Sequence, residues 1–103
     1  MRLVVDASVI ADALWGDDRS RAAARDALGD AELAAPHLID LEVAHVARRA
    51  VRQRRLTPDS ALLGLRRLAR LPGLDRIAHV ALIERVWELR ANVTAYDASY
   101  VAL

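Results

Sequence analysis

Close to its amino terminus the chain carries Leu3-Val4-Val5, a short β-branched run without apolar–polar alternation, closed at once by the carboxylate of Asp6. A strand that is apolar at every position predicts burial on both faces, and such burial predicts a parallel sheet covered by helices. The strand is expected over 2–5. Apolar residues at 9–11 and 14–15, stopped by Gly16-Asp17-Asp18, predict a short helix, and the Ala- and Arg-rich segment 20–28 predicts another, ending at Gly29. A weaker strand is expected over 31–35. Pro36 can then open the longest helix, about 37–55. Thr57-Pro58-Asp59 combines an N-cap with a proline at the first helical position, predicting a helix to about residue 70, where Pro72-Gly73 breaks the pattern. A strand over 74–78 is followed by a helix over 79–90 with a stripe of Val80, Ile83, Val86 and Trp87, and Thr94 caps a last helix. Strands alternating with helices define an α/β domain with a central parallel sheet.

Size and composition narrow the chemistry. One domain spanning 1–103 is expected, because 103 residues can bury roughly two thirds of their unfolded surface around a single core. No apolar stretch approaches the roughly 20 residues of a membrane span, and Asp6 interrupts the segment where a signal peptide would be apolar, so a soluble cytoplasmic protein is expected. With no cysteine, thiolate metal sites and thiol nucleophiles are excluded, and any metal must be held by oxygen or imidazole. His37, His45 and His79 lack zinc-site spacing, and the four glycines form no phosphate loop. All 15 basic residues are arginine; composition bias explains this adequately, although guanidinium also suits phosphate. The net charge of +1 conceals an uneven distribution, −5 over 1–45 against +6 over 46–103. That split is compatible with a cation-holding acidic cluster beside a surface that attracts polyanions.

Three acids form the candidate constellation. Asp6 lies at the carboxyl end of the first strand, where open α/β sheets bind ligands, although it could equally serve as a helix N-cap. Glu42 lies on or beside the Ile39-Val43-Val46-Ala50 stripe and so points to the core side, unless it is solvated or paired with Arg49. Asp97, three residues after Thr94, also matches a capping box. An α/β fold could bring all three to one sheet edge, where mutual repulsion calls for a compensating cation. With oxygen donors alone, Mg²⁺ or Mn²⁺ is the expected ion and phosphodiester hydrolysis the expected chemistry.

Leu3-Val4-Val5-Asp6-Ala7-Ser8, then Pro36 through Leu41-Glu42-Val43 to Arg48-Arg49, then Thr94-Ala95-Tyr96-Asp97-Ala98-Ser99-Tyr100-Val101-Ala102-Leu103 resemble, in order, the successive motifs of the PIN-domain proteins, specifically the VapC toxins of type II toxin–antitoxin pairs. The resemblance implies a PIN-like α/β/α sandwich and a Mg²⁺-dependent endoribonuclease acting on tRNA or rRNA. It also implies a homodimer neutralised by a VapB-type antitoxin. It assigns Asp6, Glu42 and Asp97 to metal binding and water activation, and Ser8 to the small hydroxyl beside the first acid. VapC-like chains continue to a further strand and a fourth acid in a Thr-x-Asp motif; neither follows Leu103. The expectation is therefore a domain incomplete at its C-terminus, with an open edge on the first strand, reduced stability and a tendency to associate.

Arg48, Arg49, Arg52, Arg54 and Arg55 crowd the end of the central helix, either as a solvated complement to its dipole or as contacts to an RNA backbone, for which Arg48, Arg49, Arg52 and Arg55 are the candidates. Trp15 and Trp87 are expected in the core or a dimer contact; Tyr96 and Tyr100, four apart, share a helix face. The alternative to an enzyme is a catalytically inactive remnant that binds antitoxin or dimerises. A phosphoacceptor receiver fits poorly, since it needs paired acids at the first strand and a lysine, and lysine is absent.

Overall fold

The computed structural model describes residues 2–103. Strands β1 (Arg2–Val4), β2 (Glu32–Pro36) and β3 (Leu74–Ile77) form one sheet in the order β1-β2-β3, with both pairings parallel. Leu3 is in register with Leu33, and Leu33 with Leu74, so one apolar row crosses all three strands. Between and after them run α1 (Ala7–Trp15), α2 (Asp18–Leu28), α3 (Ile39–Arg52), α4 (Pro58–Ala69), a 3-10 turn (His79–Leu82), α5 (Ile83–Glu88) and α6 (Ala95–Val101). No helix among the described residues is long and apolar enough to cross a membrane. The core gathers Val5, Ile10, Leu33, Ala35, Ile39, Val43 and Leu68, drawn from strands and from α1, α3 and α4.

The α/β alternation and parallel sheet are as the sequence predicts, and several boundaries shift for identifiable reasons. The two-faced burial expected of the first strand belongs to β2, where Leu33 to Pro36 are all buried. β1 lies at the sheet edge, and Val4 is 49% exposed. Pro36 closes β2 rather than opening α3, a position open to proline because it lies at the strand's last residue. The next N–H, of His37, continues the ladder to the Ile77 carbonyl at 3.0 Å.

At the other end α3 stops at Arg52, short of Arg55. Arg54 takes a left-handed φ of 58°, its N–H bonds the Val51 carbonyl at 3.0 Å, and the Arg55 N–H bonds the Ala50 carbonyl at 2.9 Å. That pair of bonds is a Schellman ending, and an arginine in the place usually held by glycine hides it from the sequence. The predicted helix over 79–90 divides into the 3-10 turn and the six-residue α5, and of its apolar stripe only Val86 is buried. Val80, Ile83 and Trp87 remain exposed, with the Trp87 ring lying under the Arg90 guanidinium at 4.5 Å. By contrast Thr57 caps α4 as expected, its hydroxyl accepting the Ser60 N–H at 3.1 Å.

Trp15 fixes the position of α4. Its indole N–H donates to the Ser60 carbonyl at 3.0 Å, and its ring lies so close to Gly64 that a Cβ there would overlap the indole. Alanine would gain about 1 kcal/mol of helix propensity at Gly64, but the rigid ring would have to move and lose its hydrogen bond. The overlap dominates, so Gly64→Ala should destabilise the fold by about 1–3 kcal/mol, read as a lower urea midpoint at unchanged slope.

Candidate active site

A parallel sheet directs the carboxyl ends of its strands to one edge, where the chain turns into helix N-termini. Asp6 leaves β1 there by way of Val5. Its backbone is extended, and its Oδ1 accepts the Val9 N–H at 3.1 Å and the Ser8 hydroxyl at 2.8 Å. Asp6 is thus the N-cap of α1. Ser8, a candidate for substrate contact, donates its hydroxyl to the acid beside it. Two donors orient this carboxylate at the positive end of a helix dipole, and its Oδ2 has no hydrogen-bond partner among the described residues.

Glu42 projects from the first turn of α3, half-buried as its place beside the apolar stripe predicts. Arg49 is not its partner. Instead the Tyr100 hydroxyl, brought by α6, donates to Glu42 Oε1 at 2.6 Å, while Oε2 is free of hydrogen bonds among the described residues. Burial first, then this hydrogen bond and the charges of Glu42, Asp6 and Asp40, push the Tyr100 hydroxyl far above the ordinary tyrosine range, so it remains a donor.

Asp40 is an acid the sequence does not single out. Arg76 of β3 grips it with two hydrogen bonds, Nε to Oδ2 at 2.6 Å and Nη2 to Oδ1 at 2.8 Å, and Nη2 also donates to the Leu68 carbonyl at 2.9 Å. The bond to Asp40 raises the already high guanidinium pKa. The signal for this pair was an arginine in a four-residue strand between apolar Leu74 and Ile77, which needs an inward-facing partner. Its effect is to remove one negative charge from an edge already carrying Asp6 and Glu42.

Asp97 sits in the first turn of α6, where its N–H is capped by the Thr94 hydroxyl at 3.2 Å and its exposed carboxylate makes no hydrogen bond or ion pair among the described residues. Among those residues no three His, Asp or Glu side chains form a group that could hold a metal ion. Glu42 is held by Tyr100, Asp6 by Ser8 and Val9, and Asp97 stands one helical turn before Tyr100. An open hollow of about 330 Å³ adjoins Glu42, lined also by Ala7, Leu41, His45, Val46 and Tyr96. His37, His45 and His79 are exposed.

Along α3 and just past its end, Arg48, Arg49, Arg52, Arg54 and Arg55 are all exposed, and none has an ion-pair partner among the described residues. The acids lie at one end of the helix and the free cations at the other.

Residues 3–103 match the PIN domain family. The chain belongs to that family, on its VapC branch. It is 43% identical over 101 residues to VapC ribonuclease Mb0985 of Mycobacterium bovis, covering 98% of this chain and 76% of that protein. The Mycobacterium tuberculosis protein Ribonuclease VapC9 is similar to the same extent, 43% over 101 residues with 98% and 76% coverage. Ribonuclease VapC1 of the same species is 45% identical over 101 residues, covering 97% of this chain and 75% of that relative. Membership agrees with the motif resemblance and makes this PIN domain an enzyme of the VapC type, with the three-stranded parallel sheet as its centre.

Removing the charge opposite Arg76 should loosen this edge. Asp40→Asn leaves a largely buried guanidinium without its counter-charge, and because the aspartate is itself partly solvated the expected loss is about 1–2 kcal/mol, measured as a lower urea midpoint.

Proposed function

We propose that this PIN domain is a divalent-metal-dependent endoribonuclease that hydrolyses phosphodiester bonds of structured RNA of the tRNA or rRNA class. The observation that carries the reading is that Glu42 and Ala7, the neighbour of Asp6, line one hollow at the carboxyl edge of the sheet, in a chain 43–45% identical to VapC ribonucleases. The donor set fits Mg²⁺, with Mn²⁺ as a substitute: each carboxylate has one oxygen fixed by hydrogen bonds and one without, and Mg²⁺ is commonly bound by one or two carboxylates with water and substrate phosphate completing its shell. When bound, the ion would offset the negative charge of scissile phosphate and acids and acidify a bound water. Asp6 and Glu42 would hold it. Asp97, solvated and without a side-chain partner among the described residues, would accept a proton from the attacking water or add a further carboxylate to the ion. Ser8 and Tyr100 keep the two inner carboxylates oriented. Arg48, Arg49, Arg52 and Arg55 offer unpaired guanidinium groups to the RNA backbone.

As with other VapC-type chains, we infer control by a VapB-type antitoxin, work on RNA in the cytoplasm, and a homodimer. An exposed apolar band supports the dimer, with Val80, Ile83 and Trp87 on the 3-10 turn and α5, and Tyr96 and Val101 on α6.

The purified protein should cleave RNA with Mg²⁺, lose cleavage in EDTA and recover it with Mn²⁺. Asp6→Asn should lower the rate at least 100-fold while leaving the fold intact by circular dichroism. Cleavage indifferent to EDTA and to Asp6→Asn would refute the metal reading; binding of RNA or antitoxin without any turnover would favour the non-catalytic module. Arg52→Ala and Arg55→Ala should each reduce the slope of log affinity against log salt by about 1, and unchanged slopes would remove both residues from the RNA surface.

A further inference from the structure

We propose that Tyr100 is the positioning residue for Glu42: its hydroxyl fixes one carboxylate oxygen of a flexible side chain so that the other is presented toward the cation. The inference rests on the metal-dependent reading of the site and adds a residue that the acidic constellation does not contain. It stands on the 2.6 Å hydrogen bond between Tyr100 Oη and Glu42 Oε1, which joins residues 58 apart in the chain.

The two partners differ in freedom. A glutamate at the first turn of a helix, left to itself, samples many rotamers in solvent, and holding it costs conformational entropy. Tyr100 is already held: it packs against the buried core cluster, and the two residues before it, Ala98 and Ser99, are buried. Helix α6 is itself pinned by the Thr94 cap and by the Ser99 hydroxyl donating to the Tyr96 carbonyl at 2.6 Å. The ring thus carries a rigid donor to a carboxylate that lacks any other hydrogen bond among the described residues. Ser8 does the same for Asp6 from the next residue but one. Asp6 is also fixed by the backbone at Val9, whereas Glu42 depends on Tyr100 alone. Hydrogen-bonding partners of metal ligands typically change metal affinity 10- to 100-fold when removed.

Tyr100→Phe keeps the ring and deletes the hydroxyl. In thermal melts of the full chain titrated with Mn²⁺, the metal concentration giving half of the stabilisation should rise about 10-fold or more relative to wild type. RNA cleavage should lose kcat at low Mg²⁺, regain it at high Mg²⁺, and keep KM for RNA. In a Glu42→Gln background the same substitution should add no further shift of the Mn²⁺ midpoint. A wild-type Mn²⁺ midpoint in Tyr100→Phe overturns the positioning role while leaving the metal reading intact. No Mn²⁺ stabilisation of the wild-type protein defeats the metal reading and this proposal with it. A measurement independent of the folding of Tyr100→Phe uses Tyr96→Phe, in which Tyr100 is the remaining tyrosine: its near-UV difference band should move on adding Mg²⁺ and stay fixed when Glu42→Gln is added, and a band that Mg²⁺ does not move also overturns the proposal.

Discussion

Burial of β2 is the constraint on which the remainder of the structure depends. Ala34, Ala35 and Pro36 are almost fully inaccessible, and a strand sealed on both faces and hydrogen-bonded along both edges can be satisfied only between parallel neighbours with helices packed over them. Parallel connection then forces each strand's carboxyl end to the same side, and each crossover helix to begin there. The small side chain of Ala35 matters as well, since it shares the core cluster with Ile39 and Val43 of α3, which are completely buried. Seating α3 in this way sets where its first turn lies, and the first turn carries both Asp40 and Glu42.

Much of this was legible because local signals agreed with the tertiary outcome. Thr57-Pro58 and Thr94 are caps whose geometry is decided within one turn, so both helices begin where the sequence predicts. The acids were recognisable by position, Asp6 at a strand end and Glu42 on the core side of its helix. What could not be read were features decided by partners distant in the chain. Which strand occupies the centre is one: Leu3-Val4-Val5 looks more deeply buried than Glu32-Leu33-Ala34-Ala35-Pro36, yet alanines suit a centre crowded by helices and the β-branched run serves at an edge. The role of Pro36 follows from the same order, since a proline can end the central strand once the His37 N–H takes over the bond to Ile77.

The site shows the same division. Spacing alone paired Tyr96 with Tyr100 as neighbours on one face, but they part in function. Tyr96 is largely exposed beside the hollow, while Tyr100 is turned inward onto Glu42. Asp40 lies two residues from Glu42 and is drawn to a different element altogether, because α3 presents successive residues about 100° apart and β3 offers Arg76 on one of those sides. Pairing Asp40 with Arg76 leaves Asp6 and Glu42 at this edge without a third uncompensated charge beside them.

Helix α3 also explains how a chain of net charge +1 keeps opposite fields apart. Asp40 and Glu42 occupy its first turn and Arg49 and Arg52 its last, each complementing the nearer end of the helix dipole, so the separation stabilises the helix as well as dividing the surface. From Glu42 to Arg52 the rise is about 15 Å, beyond the roughly 8–10 Å over which salt screens exposed charges at physiological strength. Arg52 and the arginines beyond it therefore do not neutralise the acidic edge, and Glu42 does not diminish their attraction for a polyanion. An RNA backbone lying along α3 can meet cations at one end and the carboxylate of Glu42 at the other, and the Schellman turn at Arg54 extends the cationic end past the last helical residue without adding length to the helix.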